Sequence, residues 1–213
     1  MNTESLIESM TRDLKPTPRH ALERRLTFGM LGGAVVTLLL IAVVLGLRTD
    51  LGLAMQGFTF WMKWAYTISL GIGSIIMVAR LARPEPVRLT GFWPIVLPFA
   101  LLAAVSMAEM AHVPPGDWFA MWLGDTWKKC PWLVLMLSAP IFGGLLWSFR
   151  RLAPTRLRAA GAAAGLSAGA WAATLYCLHC PEVSAVFVLT WYTMGILFAA
   201  GIGALLGPRL LRW

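Results

Sequence analysis

Six long apolar stretches constrain this chain more than any other feature of its sequence. A helix that crosses a hydrocarbon core of about 30 Å needs roughly 20 mostly apolar residues, each adding about 1.5 Å. Stretches of this length lie at about 27–47, 58–79, 92–111, 131–149, 159–178 and 184–206. The fifth is the weakest, because it is rich in alanine and glycine rather than leucine. The sequence therefore predicts an all-α, polytopic membrane protein with six transmembrane helices.

Composition separates this prediction from the alternative, a soluble helical bundle. Hydrophobic residues make up 58% of the 213 residues, charged residues make up only 13%, and the mean hydropathy is +0.70. A soluble domain carries about 25% charged residues, because its loops and outer helix faces need them. The first stretch is too long for a cleaved signal peptide, and no small-residue cleavage site follows it. We therefore expect a cytoplasmic tail at 1–26 and a six-helix transmembrane domain at 27–213.

The distribution of arginine and lysine predicts the orientation of the helices. The segments before the first stretch and after the second, fourth and sixth carry 14 basic residues, whereas the opposite side carries 3. The positive-inside rule then places both termini in the cytoplasm. The remaining basic residue, Lys63, lies one turn inside the second stretch, and we expect it to snorkel to the interface. The net charge of +8 is spread over short loops without an aromatic-interleaved patch, so it does not indicate nucleic-acid binding.

Rows of small residues in the last two stretches predict how those helices pack. Glycine or alanine recurs every four residues at 161, 165, 169 and 173, and again at 195, 199, 203 and 207. Such rows let helix backbones approach closely inside a membrane. We interpret them as the contact of a tight hairpin between the fifth and sixth stretches, with a homodimer seam as the alternative.

The tail contains a second kind of pattern, an amphipathic helix at residues 3–14. Four apolar side chains share one face of it, namely Leu6, Ile7, Met10 and Leu14. The segment from Lys15 and Pro16 onward then ends the helix. An amphipathic helix of this kind lies on a membrane or in the groove of a partner. Three acidic residues, Glu4, Glu8 and Asp13, disfavour an anionic lipid surface, so the pattern favours a protein partner.

Residues that could carry chemistry gather on the side opposite the termini. Cys130 precedes the fourth stretch, and Cys177, His179, Cys180 and Glu182 lie around the turn between the fifth and sixth. Membrane cysteines are often small apolar fillers, and this reading is strongest for Cys177, which continues the row of small residues. Two soft thiols near His179 and His112 could instead bind a thiophilic metal ion, or could form a disulfide if their Cα atoms come within about 6 Å.

Enzymatic functions find little support in the sequence. There is no nucleotide-binding glycine-rich loop, nucleophile elbow or H-E-x-x-H motif, and nothing indicates a resident cofactor. A membrane thiol oxidoreductase built on the C-x-x-C at 177–180 would need a second redox pair, which Cys130 alone does not supply. A small-solute transporter would need polar groups near the middle of the membrane. We therefore expect a protein that is not an enzyme, and keep these two functions as alternatives.

Several short motifs along the whole chain resemble the NrsF family of bacterial membrane anti-sigma factors. The most specific is L-H-C-P-E at 178–182, and the others are L-I at 6–7, D-L-K-P at 13–16, R-L-A-R-P at 80–84, R-L-A-P-T-R at 151–156, W-Y-T at 191–193 and L-G-P-R-L at 206–210.

The resemblance implies a function that the composition and the spacing of residues do not indicate by themselves. An extracytoplasmic-function sigma factor would be held at the bacterial inner membrane by the cytoplasmic part, whose candidate binding residues are Leu6, Ile7, Met10, Asp13, Leu14, Lys15 and Pro16. A pair of periplasm-facing cysteines would sense metal or oxidant stress, and this role falls on Cys130 and Cys180. Cys177 is an addition to the family pattern, with His179 and Glu182 as further candidates. A thiophilic metal ion would be a transient signal rather than a cofactor.

Overall fold

The computed structural model describes residues 3–12, 21–82, 93–149 and 154–211. Every regular element in these ranges is helical, which confirms the all-α prediction. The helices are α1 (Thr3–Thr11), α2 (Ala21–Leu40), α3 (Leu51–Ala54), α4 (Phe58–Leu81), α5 (Trp93–His112), α6 (Trp118–Leu123), α7 (Cys130–Phe149), α8 (Leu157–Tyr176), α9 (Ala185–Phe187) and α10 (Thr193–Leu210). Short π-helical segments at Ile41–Leu45 and Val188–Tyr192 extend α2 and join α9 to α10.

Five helices of the described chain are long and apolar enough to cross a membrane. They are Leu22–Leu45, Phe58–Leu81, Trp93–His112, Cys130–Phe149 and Ala185–Leu210. Their positions match five of the six predicted stretches. The remaining stretch corresponds to α8, a helix of 20 residues whose many alanines and glycines make it less apolar than the others. Six spans therefore remain a prediction.

The alanine-rich helix α8 lies at the centre of the bundle, packed against α10, α4 and α7. Small residues bring its backbone against that of α10. A Cβ atom built at Gly161 would lie 2.2 Å from the carbonyl oxygen of Gly203, and one at Gly165 would lie 2.2 Å from that of Ala199. This close approach confirms the predicted hairpin. The two rows of small residues pack against each other within one chain.

The same contact predicts a difference between two glycines of α10. Gly203→Ala places a methyl group 2.2 Å from the Gly161 oxygen, whereas a Cβ at Gly201 meets nothing within 4 Å. Both changes favour the helix by about 1 kcal/mol, but overpacking against a backbone costs about 1–3 kcal/mol or more. We expect Gly203→Ala to lower the melting temperature of the purified protein in detergent, and Gly201→Ala to leave it unchanged or raise it. Equal melting temperatures of the two variants would contradict this packing.

Helix α2 packs against α7, a pairing that the sequence did not reveal. A Cβ at Gly29 would lie 2.3 Å from the oxygen of Gly144, and one at Gly33 would lie 2.5 Å from the Cα of Ile141. The hydroxyl of Thr37 donates a hydrogen bond of 2.9 Å to the oxygen of Leu137 across the same interface. The first and fourth apolar stretches are therefore neighbours.

Helix α1 covers the described part of the predicted amphipathic tail helix. Helix α1 ends at Thr11, and the Arg12 amide still donates to the Glu8 oxygen at 3.1 Å. Leu6, Ile7 and Met10 are 42%, 56% and 69% exposed, so this apolar face is not covered by the bundle. The other predicted binding residues, Asp13, Leu14, Lys15 and Pro16, lie outside the described residues.

Candidate functional site

The three cysteines come together where α7 begins and α8 ends. Cys130 is the first residue of α7, Cys177 directly follows α8, and Cys180 lies in the turn that leads to α9. Because α7 and α8 pack side by side, their ends on this side of the bundle adjoin. All three thiols are free, and all three side chains are 0% exposed. The cysteines thus form one buried cluster rather than three separate surface sites.

Within this cluster, Cys130 and Cys180 face each other while Cys177 is engaged elsewhere. The Cys130 thiol lies beside the sulfur of Cys180. The interaction of the two side chains, together with the nearby ammonium group of Lys63, lowers the pKa of Cys180 against the opposing effect of burial. The Cys177 thiol instead donates to the Ala173 oxygen of its own helix at 3.2 Å. The arrangement places two thiols where a shared metal ion or a disulfide could join them.

Lys63 does not snorkel to the interface, so this expectation was wrong. Its side chain is 1% exposed, and its Nζ donates hydrogen bonds to the carbonyl oxygens of Cys180, at 3.3 Å, and of Glu182. These carbonyls flank Pro181 and offer the ammonium group acceptors inside the protein. Arg48 supports the same turn, since its Nη1 donates to the Cys180 oxygen at 3.4 Å and its amide donates to the Leu178 oxygen at 3.1 Å.

His179 and Glu182 anchor the cysteine turn to neighbouring loops. The Nδ1 atom of His179 lies 2.8 Å from the oxygen of Gly46, which follows the first span. The Glu182 Oε1 atom accepts hydrogen bonds of 2.9 Å from the amides of Asp125 and Thr126 and from the Thr126 hydroxyl. Both side chains therefore have partners other than the thiols.

Gly124 lets the loop before α7 close over Glu182. Its φ of 55° is in the left-handed region that favours glycine. A Cβ atom at this position would also lie 2.7 Å from Glu182 Oε2 and from the Phe187 ring. The loop before α7 and the turn after α8 therefore pack closely against each other.

Two tyrosines complete the surroundings of the cluster, and sequence reasoning did not identify them as site residues. Tyr176 and Tyr192 are 1% and 0% exposed, and their ring centroids are 5.7 Å apart. Both hydroxyl groups lie near Cys180. Only the W-Y-T motif pointed toward Tyr192, because an aromatic residue near a membrane interface is otherwise ordinary.

The cluster offers few ligands to a metal ion. In the ranges that the structure describes, no group of three or more His, Cys, Asp or Glu side chains is arranged to hold one. A metal ion bound by Cys130 and Cys180 would therefore have two thiolates from this cluster and would need further ligands from elsewhere. The predicted assignments of Cys130, Cys180, Cys177, His179 and Glu182 to sensing stay predictions.

These features define a class of protein. It is a bundle of helices that are long and apolar enough to cross a membrane, with a buried thiol cluster at one end and an amphipathic helix before the first of them. The family model described as "NrsF: Negative regulator of sigma F" matches residues 10–213. The chain belongs to the NrsF family, whose members are negative regulators of a sigma factor, and the resemblance noted in the sequence is confirmed.

Two relatives match along the whole length of both chains. The "Probable anti-sigma-F factor NrsF" of Azospira oryzae is 40% identical over 215 residues. The "Anti-sigma-F factor NrsF" of Caulobacter vibrioides is 38% identical over 215 residues. Each alignment covers 100% of this chain and 100% of the relative. No solved structure matches the chain.

Proposed function

We propose that this chain holds an extracytoplasmic-function sigma factor at the bacterial inner membrane and releases it when its cysteine pair senses metal or oxidant stress. The family match over residues 10–213 is the observation that carries this proposal. Negative regulation by sequestration needs two elements, a surface that binds the sigma factor and a second state in which that surface is lost. The tail helix and the thiol cluster are the candidates for these elements.

The membrane part of the proposal has six spans, with α8 as the fifth. Support comes from the length of α8, from its place between α4, α7 and α10, and from the concentration of arginine and lysine in alternate loops. With an even number of spans, both termini lie in the cytoplasm.

Reporter fusions test this topology. A reporter that is active only in the cytoplasm should be active when fused after Trp213, and a reporter that needs the periplasm should be inactive there. A fusion after Gly124, in the loop that precedes α7, is the matched control and should show the reverse. Periplasmic activity after Trp213 would contradict the six-span arrangement.

The tail helix supplies the surface for the sigma factor in this proposal. Leu6, Ile7 and Met10 lie exposed on one side of α1, and an apolar helix face of this kind suits a partner's groove. Asp13, Leu14, Lys15 and Pro16 extend the proposed contact, as the family motif implies.

The thiol pair supplies the switch. Cys130 begins α7 and Cys180 follows α8, so a bond or metal ion between them would fix the relative position of two helix ends. Both helices pack along their length, and the end opposite the cysteines lies on the side to which the proposed topology also assigns the tail. Because Cys177 bonds to its own helix, its contribution is secondary.

Deleting the gene that encodes this chain tests its proposed function as an anti-sigma factor. A deletion should raise transcription from promoters read by the sigma factor, and should move the sigma factor from the membrane fraction to the soluble fraction. A plasmid copy of the wild-type chain should reverse both effects. If the sigma factor stays in the soluble fraction and transcription from its promoters is equally low with and without this chain, the proposal is contradicted.

A further inference from the structure

An apolar cavity lies between α4 and α5, outside the thiol cluster. At one end the two helices touch, since a Cβ at Gly73 would lie 2.5 Å from the oxygen of Pro94. Toward the thiol side they diverge and leave a cleft of about 480 Å³. Its walls carry Trp61, Ala65 and Ser69 from α4 and Pro98, Leu101 and Val105 from α5. The hydroxyl of Tyr66 already shares a hydrogen bond of 2.7 Å with the Thr193 hydroxyl. The walls of the cleft therefore present mainly carbon atoms.

The cleft continues into a second cavity with a different character. This second space, of about 250 Å³, shares Phe58, Met62 and Val105 with the first and adds Glu109 and His112. The Oε2 atom of Glu109 accepts from the Ala185 amide at 2.7 Å and from the Ser184 hydroxyl at 3.2 Å. Among the described residues, no group donates to the other oxygen of Glu109, and His112 is exposed one turn further along α5. The mouth of the cleft thus presents an anionic oxygen beside an imidazole.

The length of the cleft matches one leaflet of a bilayer. Phe58 and Ser69 mark its ends on α4, and the helix rises about 16 Å between them. A hydrocarbon core of about 30 Å gives each leaflet about half that thickness. An extended acyl chain would therefore lie in the apolar part while its headgroup reaches the level of Glu109 and His112.

We propose that this cleft binds one acyl chain of an amine-bearing phospholipid, of the phosphatidylethanolamine class, from the leaflet on the cysteine side. The headgroup ammonium meets the free oxygen of Glu109, and the phosphate accepts a hydrogen bond from His112. The apolar walls hold the chain, and the single carboxylate selects the ammonium headgroup over an anionic one. The residues that line the two cavities include none of the three cysteines and none of the tail helix.

Photo-crosslinking in nanodiscs tests this site. The full chain is placed in equal amounts of phosphatidylethanolamine and phosphatidylglycerol, with a trace of either lipid carrying a diazirine in one acyl chain, and crosslinks are mapped by mass spectrometry. The phosphatidylethanolamine probe should label α4 and α5 peptides more than the phosphatidylglycerol probe does. Ala65→Phe fills the cleft and should lower this labelling about tenfold, the effect expected when roughly two methylene groups lose their burial.

Matched variants separate the chain site from ordinary contact with the surrounding lipid. Ala104→Phe adds the same ring to an exposed position of α5 outside the cleft and should leave the labelling unchanged. Glu109→Gln keeps one acceptor oxygen for Ala185 and should remove the preference between the two probes. Should Ala65→Phe be poorly folded, Ser69→Leu fills the same cleft from the next turn. Labelling that is equal in the wild-type chain, Ala65→Phe and Ala104→Phe, or a wild-type chain without headgroup preference, would overturn the proposal.

Discussion

Cells carrying the Cys130→Ser, Cys180→Ser double variant should keep their sigma factor bound when they meet a thiophilic metal or an oxidant. The two thiols lie beside each other in a cluster that is 0% exposed, whereas the Cys177 thiol donates a hydrogen bond to the Ala173 oxygen. Driving a two-state protein from about 1% to about 99% released takes roughly a 10⁴-fold difference in affinity between the states, about 5.5 kcal/mol. Serine neither forms a disulfide nor binds a soft metal well, so this driving force disappears. Transcription from a promoter read by the sigma factor is the measurement.

Cys177→Ser is the matched control for this prediction. It removes a third buried thiol of the same site, but one whose Sγ donates to Ala173 within its own helix. We expect transcription to respond to stress in this variant nearly as in the wild type. Normal induction in the double variant, at normal membrane levels, would remove the pair from the sensing step. A complete loss in Cys177→Ser would assign the step to a different pair of thiols.

The second large effect is expected in the tail. The Leu6→Asp, Met10→Asp double variant should release the sigma factor without any stress, because it places two carboxylates in the apolar face of α1. Burying each such side chain is worth about 1.5–3 kcal/mol, and 1.4 kcal/mol corresponds to a factor of ten. Losing both anchors should weaken binding about a hundredfold or more. The affinity of the sigma factor for the purified chain and the unstressed transcription level both report this loss.

A control on the same helix adds equal charge away from the apolar face. Ser5→Asp, Ser9→Asp introduces two carboxylates into α1 and leaves the side chains of Leu6, Ile7 and Met10 unchanged. Sigma-factor affinity should change little in this variant. If both double variants release the sigma factor equally, general acidity of the tail rather than its apolar face is responsible. Unchanged affinity in Leu6→Asp, Met10→Asp would reject α1 as the binding element.

Much of the fold could be predicted because membrane helices follow simple rules of length and composition. Five of the predicted apolar stretches are helices of the expected length, and the rows of small residues correctly predicted that α8 packs against α10. The pairing of α2 with α7 could not be predicted, because Gly29 and Gly33 make a short pattern that says nothing about its partner. In a lipid environment many helix pairings are similarly apolar, so only close backbone contacts distinguish them.

The candidate site was found in part for similar reasons. Cysteines are rare enough in this chain that their position on one side was informative, and L-H-C-P-E marked the turn. The partners of that turn come from distant segments, such as Lys63 at the start of α4 and the loop at 124–126. A lysine near a helix end normally reaches water. Nothing in the sequence reveals that Lys63 instead donates hydrogen bonds to two carbonyl groups inside the protein. His179 and Glu182 lie in the same turn as Cys180, but their anchoring roles depend on those distant loops.

A purified complex of the intact chain and its sigma factor, reconstituted in nanodiscs, tests the central claim most directly. Binding is followed while a thiophilic metal ion or an oxidant is added, and the state of the thiols is followed in parallel by mass spectrometry. We expect the sigma factor to dissociate as Cys130 and Cys180 react, and the Cys130→Ser, Cys180→Ser complex to stay intact under the same treatment. A wild-type complex that remains bound after both thiols have reacted would contradict sensing by this pair.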